Sequence, residues 1–238
     1  MIRRTVRWSV LIAFVFAVGL QVCYCNSLAK PLLDAARAGD AAKVRLLLKR
    51  GADPNSANTD GNTLTALMLA ARGGHTDAVK ALLAGGAKVE ATGAVSVGAS
   101  GVNEGITALM EAAASGQVAT VEVLLGYHAN ANAQAVSESL NSAGESSVIG
   151  RNSVVFFSAN SAIVRELVEH GADVKAKDGK GNSLLMYAAE HLDRSAISYL
   201  LAKGLDPKER NASGQTAYDL AVQAGKSDNA EALKEFAR

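Results

Sequence analysis

TALMLAARGGHTDAVKALLAGGA, residues 65–87, decides the fold. Thr65 is placed to cap a helix whose inward positions are Leu67 and the small pair Ala70-Ala71. The alanine pair lets a neighbouring helix approach closely. Gly74 permits a tight turn into a second helix, which passes through Leu82-Leu83 and ends at Gly86, a residue free to adopt the left-handed conformation. The same grammar recurs along the chain. Lys30-Pro31-Leu32-Leu33-Asp34-Ala35-Ala36 leads to Gly51, with Pro31 suited to a first helical turn. Thr107-Ala108-Leu109-Met110-Glu111-Ala112-Ala113 leads to His128, and Ser183-Leu184-Leu185-Met186-Tyr187-Ala188-Ala189 leads to Gly204. Thr216-Ala217-Tyr218-Asp219-Leu220-Ala221 opens a last unit. The distance from the capping position to the helix end is 21 residues for Lys30, Thr65, Thr107 and Ser183 alike, so the helical pair has constant length.

The helix ends at Gly51, Gly86, His128, Gly171 and Gly204 are spaced by 35, 42, 43 and 33 residues. Against a period of 33 the surplus falls outside the helical pair, in the joining segments. A unit of a turn and two helices at this period resembles the ankyrin repeat, with its T-P-L-H-x-A-A-x-x-G-H run, leucine-ended second helix and G-A-D close. The resemblance covers about residues 28–238. It implies an all-α repeat solenoid of about six ankyrin repeats, near residues 28–60, 61–102, 103–135, 150–178, 179–211 and 212–238, two of them with long inserted hairpin loops. A stacked array of this kind needs no division into domains, because each unit buries its apolar faces on its neighbours. The polar last helix, Lys226 to Arg238, suits the wet outer face of a terminal unit.

Three departures from the family pattern carry expectations. Met68, Met110 and Met186 stand where the family has a histidine that ties neighbouring repeats, so flexible apolar packing is expected in place of a hydrogen bond. His128 replaces the helix-ending glycine, and histidine tolerates positive φ better than most residues. The fourth unit has a clear second helix, Ser161 to His170, but its first helix should fall in Ser153-Val154-Val155-Phe156-Phe157-Ser158-Ala159, which lacks the alanine pair. A shortened or shifted helix is expected there, with Phe156 and Phe157 as displaced core.

Residues 1–25 read differently. Arg3, Arg4 and Arg7 precede an uncharged run from Val10 to Val22, followed by Cys23 and Cys25. This is the pattern of a secretory signal peptide cleaved near Cys25. The run is short for a membrane span, which needs about 20 apolar residues; an uncleaved N-terminal anchor is the alternative. A lipid-attachment cysteine is disfavoured, since Val22 and Tyr24 are not small. Both cysteines lie inside this segment, leaving the ankyrin repeat domain, residues 26–238, with neither disulfide nor thiolate. A periplasmic or secreted location follows as an expectation. Beyond residue 25 the chain holds 21 basic and 23 acidic residues, too balanced for a nucleic-acid footprint. Asn211-Ala212-Ser213 is a glycosylation sequon only if the cell is eukaryotic.

The insertions run from Ala91 to Gly105 and from Gln134 to Asn152. Val95, Val97, Val136 and Leu140 alternate with small polar residues, so extended fingers are expected, standing side by side on consecutive joins. Loops this long are uncommon unless functional or mobile. The candidate protein-binding residues are Thr92, Val95, Val97, Val102, Asn103 and Glu104 on the first finger. The second supplies Val136, Glu138, Leu140 and Glu145, and the next hairpin Lys177 and Lys180.

No catalytic or ligand site assembles from the sequence. Gly93, Gly98, Gly101 and Gly105 lack the Gly-Lys-Ser/Thr of a phosphate cradle and read as turn glycines. Asp53-Pro54-Asn55 with Asp60-Gly61 lacks the acidic residue that closes a calcium loop. His75, His128, His170 and His191 have no metal-ligand spacing. His191, Asp193 and Ser195 fall at a helix–helix turn without an oxyanion donor set. Glu111, Glu122 and Glu166 are placed on exposed helix faces by periodicity. No cofactor or metal is expected, and no enzymatic activity. The reading is an exported, monomeric, non-catalytic scaffold that binds another protein through its concave face and finger loops, without nucleic acid or membrane unless the signal segment stays attached. Alternatives are a regulator, inhibitor or immunity protein, or accessory factor of a periplasmic enzyme (a toxin or a catalase-like enzyme), and a secreted host-directed effector.

Overall fold

Twelve-residue helix α1 (27–38) begins an array of helical pairs in the computed structural model, which describes residues 27–58, 62–97, 101–140 and 146–236. The stretch read as a signal peptide, residues 1–25, lies outside these residues. Helix α2 (Ala41–Lys49) completes the first pair. The second pair is α3 (Ala66–Arg72) and α4 (Thr76–Ala84), and the third α5 (Ala108–Ala114) and α6 (Val118–Gly126). The fourth unit has a 3₁₀ turn, Val154–Phe157, before α7 (Ser161–Glu169). Helices α8 (Leu184–His191) and α9 (Arg194–Ala202), then α10 (Ala217–Gln223) and α11 (Ser227–Leu233), complete the stack.

First helices pack in one layer, α3 on α5, the 3₁₀ turn between α5 and α8, and α8 on α10. Second helices form the other, from α2 through α4, α6, α7 and α9 to α11. Ala70, Ala71, Ala112, Ala113, Ala188 and Ala189 are fully buried between them, which is why small residues recur at those positions. The side chains of Thr65, Thr107, Ser183 and Thr216 accept from the N–H three residues on, as the repeated capping position requires.

Met68 and Met186 do more than the packing expected of them. Met68 Sδ accepts from the Thr65 N–H at 3.5 Å and Met186 Sδ from the Ser183 N–H at 3.4 Å. Each sulfur thus returns the capping bond and satisfies a buried donor, a role open to a polarizable thioether.

At the far end of each second helix, Gly51, Gly86, Gly171 and Gly204 have φ of 89°, 92°, 89° and 85°, and His128 has φ 63°. The chain leaves these turns through a repeated rung. Asn55 Oδ1 accepts from the Lys88 N–H at 2.8 Å, Glu90 Oε1 from the Asn130 N–H at 2.9 Å, and Asn132 Oδ1 from the Asp173 N–H at 2.8 Å. Each ties one unit to the next.

The all-α description needs correction. The two insertions fold as β1 (Gly93–Val97), β2 (Gly101–Ile106), β3 (Gln134–Leu140) and β4 (Ser146–Ser153), and join in a single antiparallel sheet of order β1-β2-β3-β4. β2 and β3 come from different insertions and pair with Val102 opposite Glu138 and Glu104 opposite Val136. The reason is proximity. Successive units hold the two joins side by side, and an isolated two-stranded finger gains by pairing its open edge.

The fourth unit is short for the reason its sequence implies. Val154 and Val155 are β-branched, no alanine pair follows, and the chain makes one 3₁₀ turn before Asn160 caps α7. Val154, Val155 and Phe156 are buried and Phe157 packs against the core, so both phenylalanines serve the core as expected. Among the described residues no helix is long and apolar enough to cross a membrane.

Candidate protein-binding surface

Side chains alternate across a strand, and the register sorts those of the sheet into two sides. Val95 and Ala135 share one side with Asn103 and Ser137; Ala135 is buried and Val95 packs on the core. Val102, Glu104, Val136, Glu138 and Arg151 therefore share the outward side. One row crosses all four strands: Ala94, Glu104, Val136, Arg151. Half-buried Val102 and Val136 form an apolar centre, with exposed Glu104 and Arg151 of opposite charge at its flanks.

The remaining expected residues scatter around this surface. Thr92 is exposed just before β1, Val97 pairs with Gly101 at the finger tip, and Leu140 faces Ser146 across the second finger. Glu145 lies outside the described residues. Lys177 is drawn away into an ion pair with Glu209 at 2.7 Å, while Lys180 is exposed on the next hairpin.

Both outer strands meet their neighbours' hairpins. The Thr63 N–H donates to Ala94 O at 3.0 Å, the Ala94 N–H to Thr63 Oγ1 at 2.8 Å, and the Ser96 N–H to Asn62 Oδ1 at 2.8 Å. A side chain on Gly93 would collide with the Thr63 carbonyl, and one on Gly150 would press on Gly179, so both edges need glycine for their close approach. The Gly179 N–H donates to Asn152 Oδ1 at 3.2 Å. The sheet thereby continues the hairpin row instead of standing as a pair of free loops.

Two polar clusters sit on the first helices. Glu111, placed on an exposed face by periodicity, is buried at 7% exposure. Arg72 Nε and Nη2 donate to its two carboxylate oxygens at 2.6 and 2.9 Å, and this bidentate contact is what makes burial tolerable. The hydrogen bond to Glu111 holds the Arg72 guanidinium above its ordinary value. Glu122 is exposed as expected, and Glu166 is partly covered. Tyr187 donates its hydroxyl to Ser158 O at 3.0 Å, stands edge-on to Phe156 with centroids 5.6 Å apart, and lies 4.8 Å from the His191 ring. Burial pushes its phenol up to about 12.

The catalytic-looking groups resolve into structural ones. Asp193 Oδ1 accepts from Ser161 Oγ at 2.5 Å and Ser195 Oγ at 2.7 Å, and caps α9 through the Ser195 and Ala196 N–H groups. The two hydroxyls hold its carboxyl below the usual range. His191 contacts Glu190 at 3.6 Å and the Tyr187 ring. His75 stands just before the second helix of its unit without a capping bond from its side chain, and its Nε2 lies 3.0 Å from Arg37 O. Asp53 accepts from the Asn55 N–H in a local turn. Among the described residues, no group of three His, Cys, Asp or Glu side chains could hold a metal ion.

The model of a family described as ankyrin repeats matches residues 32–135 and 154–237. The chain belongs to the ankyrin-repeat family. It is 30% identical over 86% of its length to a transient receptor potential cation channel subfamily A member 1 homolog of Caenorhabditis elegans. It is 33% identical over 72% of its length to an ankyrin repeat and KH domain-containing protein of the same organism. The chain spans only 15% and 6% of the lengths of those two proteins. Among solved structures, the chain resembles one in the complex of a predatory endopeptidase from Bdellovibrio bacteriovorus with an immunity protein. That match has TM-score 0.67 and 28% identity, covering 86% of this chain and 96% of the other.

Proposed function

We propose that this protein is an exported, non-catalytic binding module whose six units, each an ankyrin repeat, present a rigid four-stranded sheet to a protein partner. The observation that carries the reading is the pairing of β2 with β3, which turns two insertions into one continuous surface. Val102 and Val136 would supply the apolar contact, and Glu104, Glu138 and Arg151 the charged rim that sets register, an arrangement suited to a protein interface. Loops positioned by a rigid scaffold are where binding residues concentrate. Export rests on the arginine-led apolar segment at residues 1–25, and a monomer is the expected state.

A second, narrower reading makes the partner an exported enzyme that this chain inhibits. It is favoured by the near full-length similarity to a chain from an endopeptidase–immunity protein complex. The test for both is reconstitution of residues 26–238 with exported peptidases of the native cell, scored for binding and for loss of hydrolysis. A stoichiometric complex that silences the peptidase supports the inhibitor reading. Binding without inhibition supports the scaffold alone. A folded chain whose binding is unchanged by Glu104→Lys with Glu138→Lys would exclude the sheet as the contact surface.

A further inference from the structure

The rungs that join successive units are broken at one place. Asn55, Glu90 and Asn132 each supply a side-chain oxygen to a backbone N–H of the following unit. The residue in the same position of the fourth unit is Lys175, two residues after Asp173 as Asn55 is two after Asp53. The local turn is retained there, with the Lys175 N–H donating to Asp173 Oδ1 at 2.9 Å. An ammonium has no lone pair to offer, so it cannot complete the rung. Among the described residues no acceptor meets the N–H of Asp206, the counterpart of Lys88, Asn130 and Asp173.

A groove of about 420 Å³ lies at this break, lined by Lys175, Lys177, Lys203, Leu205, Asp206 and Glu209. Lys177 is spent on Glu209, and the Lys203 ammonium lies 5.3 Å from the Tyr199 ring centroid. Lys175 is exposed and its ammonium has no partner among the described residues. We infer that the groove is a docking site for one acidic side chain of the protein partner, its carboxylate accepting from the Asp206 N–H and pairing with Lys175. The chain itself supplies the precedent. Glu90 puts a carboxylate oxygen 2.9 Å from the Asn130 N–H in the equivalent slot two units earlier. The charge also matches, since Lys175 places a cation at the position where Asn55, Glu90 and Asn132 are neutral or acidic. The inference rests on the protein-binding reading and adds a second contact to it.

The test needs no identified partner, so it can fail independently of that reading. The ¹⁵N-labelled chain, residues 26–238, is titrated at constant ionic strength with the capped peptide acetyl-Gly-Glu-Gly-amide, and with its Gln counterpart as control. A saturable shift of the Asp206 amide with the Glu peptide alone is expected, while the Asn130 amide, its slot already filled, stays still. Lys175→Ala should weaken the response about tenfold, the loss of one charge-assisted bond. Lys175→Asn should restore the rung and abolish the response, with the rest of the spectrum unchanged. An Asp206 amide that moves no more than Asn130, or that responds equally in Lys175→Asn, would overturn the assignment.

Discussion

Glu104 of β2 lies directly opposite Val136 of β3, and through that pair two separate insertions become one sheet. Neither finger ends in solvent along its inner edge. Their backbone groups satisfy each other, and their outer edges are held by Asn62, Thr63 and Gly179. The binding surface proposed here exists only as long as that pairing does.

Coupled protection in the sheet follows from it. Val136→Pro removes a ladder donor from a central strand and should loosen both fingers. Hydrogen exchange is expected to accelerate in β1 and β2 as well as in β3 and β4, while α3, α5, α8 and α10 keep their protection, because each unit is held by its neighbours. Acceleration confined to β3 and β4 would mean the fingers act separately.

The Arg72–Glu111 pair should be costly to break from one side. Arg72→Ala strands a buried carboxylate, and a loss of about 2 kcal/mol in chemical denaturation is expected. The pair is discounted from a fully buried one because the Arg72 side chain is 42% exposed. Arg72→Met with Glu111→Leu should recover at least half of the loss, since no orphaned charge remains. Equal costs for the single and double variants would show that packing, not pairing, is what matters there.

His128 offers a stabilising change. It is the sole non-glycine among the described residues with positive φ, at 63°, in a place where the other units use glycine. His128→Gly removes the steric cost of the left-handed conformation, about 1 kcal/mol, against a smaller entropic loss. A gain of about 0.5 kcal/mol in denaturation is expected. A loss would mean the imidazole makes a compensating contact.

Two pH limits carry opposite signs. Tyr187 is raised in the fold to about 12, so its contribution is complete below the unfolded value near 10 and is lost as pH rises from there through 12. Asp193 is lowered, so its contribution is present above an unfolded value near 3.9 and is lost as pH falls below it through the folded value. Thermal scans against pH should show the alkaline decline reduced in Tyr187→Phe and the acid decline reduced in Asp193→Asn. No change in either variant would contradict these roles.

The helical pairs were legible because their determinants are local. A capping Thr or Ser, a leucine, an alanine pair and a terminal glycine specify each pair within 21 residues, as Ser183 to Gly204 illustrates. The fingers were legible as extended segments from the alternation at Val95, Val97 and Val136. Their union was not, because the register of Val102 with Glu138 depends on how far apart the stack holds two joins, a property no local pattern encodes. Glu111 was misplaced for a similar reason. Helical period located its face, but Arg72, which lets that face be covered, sits one unit earlier. Lys175 carried a readable signal, the one break among Asn55, Glu90, Asn132 and itself, but a rung must be seen before its absence has meaning.

A partner docked on the joined sheet is tested by placing a photo-crosslinking residue at Glu104, at Glu138 or at Glu122 in residues 26–238 and mapping the products formed in the exported fraction of the native cell. One protein captured in equal stoichiometry from Glu104 and Glu138 is expected, and none from Glu122 on the layer of second helices. Capture from Glu122 alone, or a Glu104 product that survives Val136→Pro, would contradict a partner docked on the joined sheet.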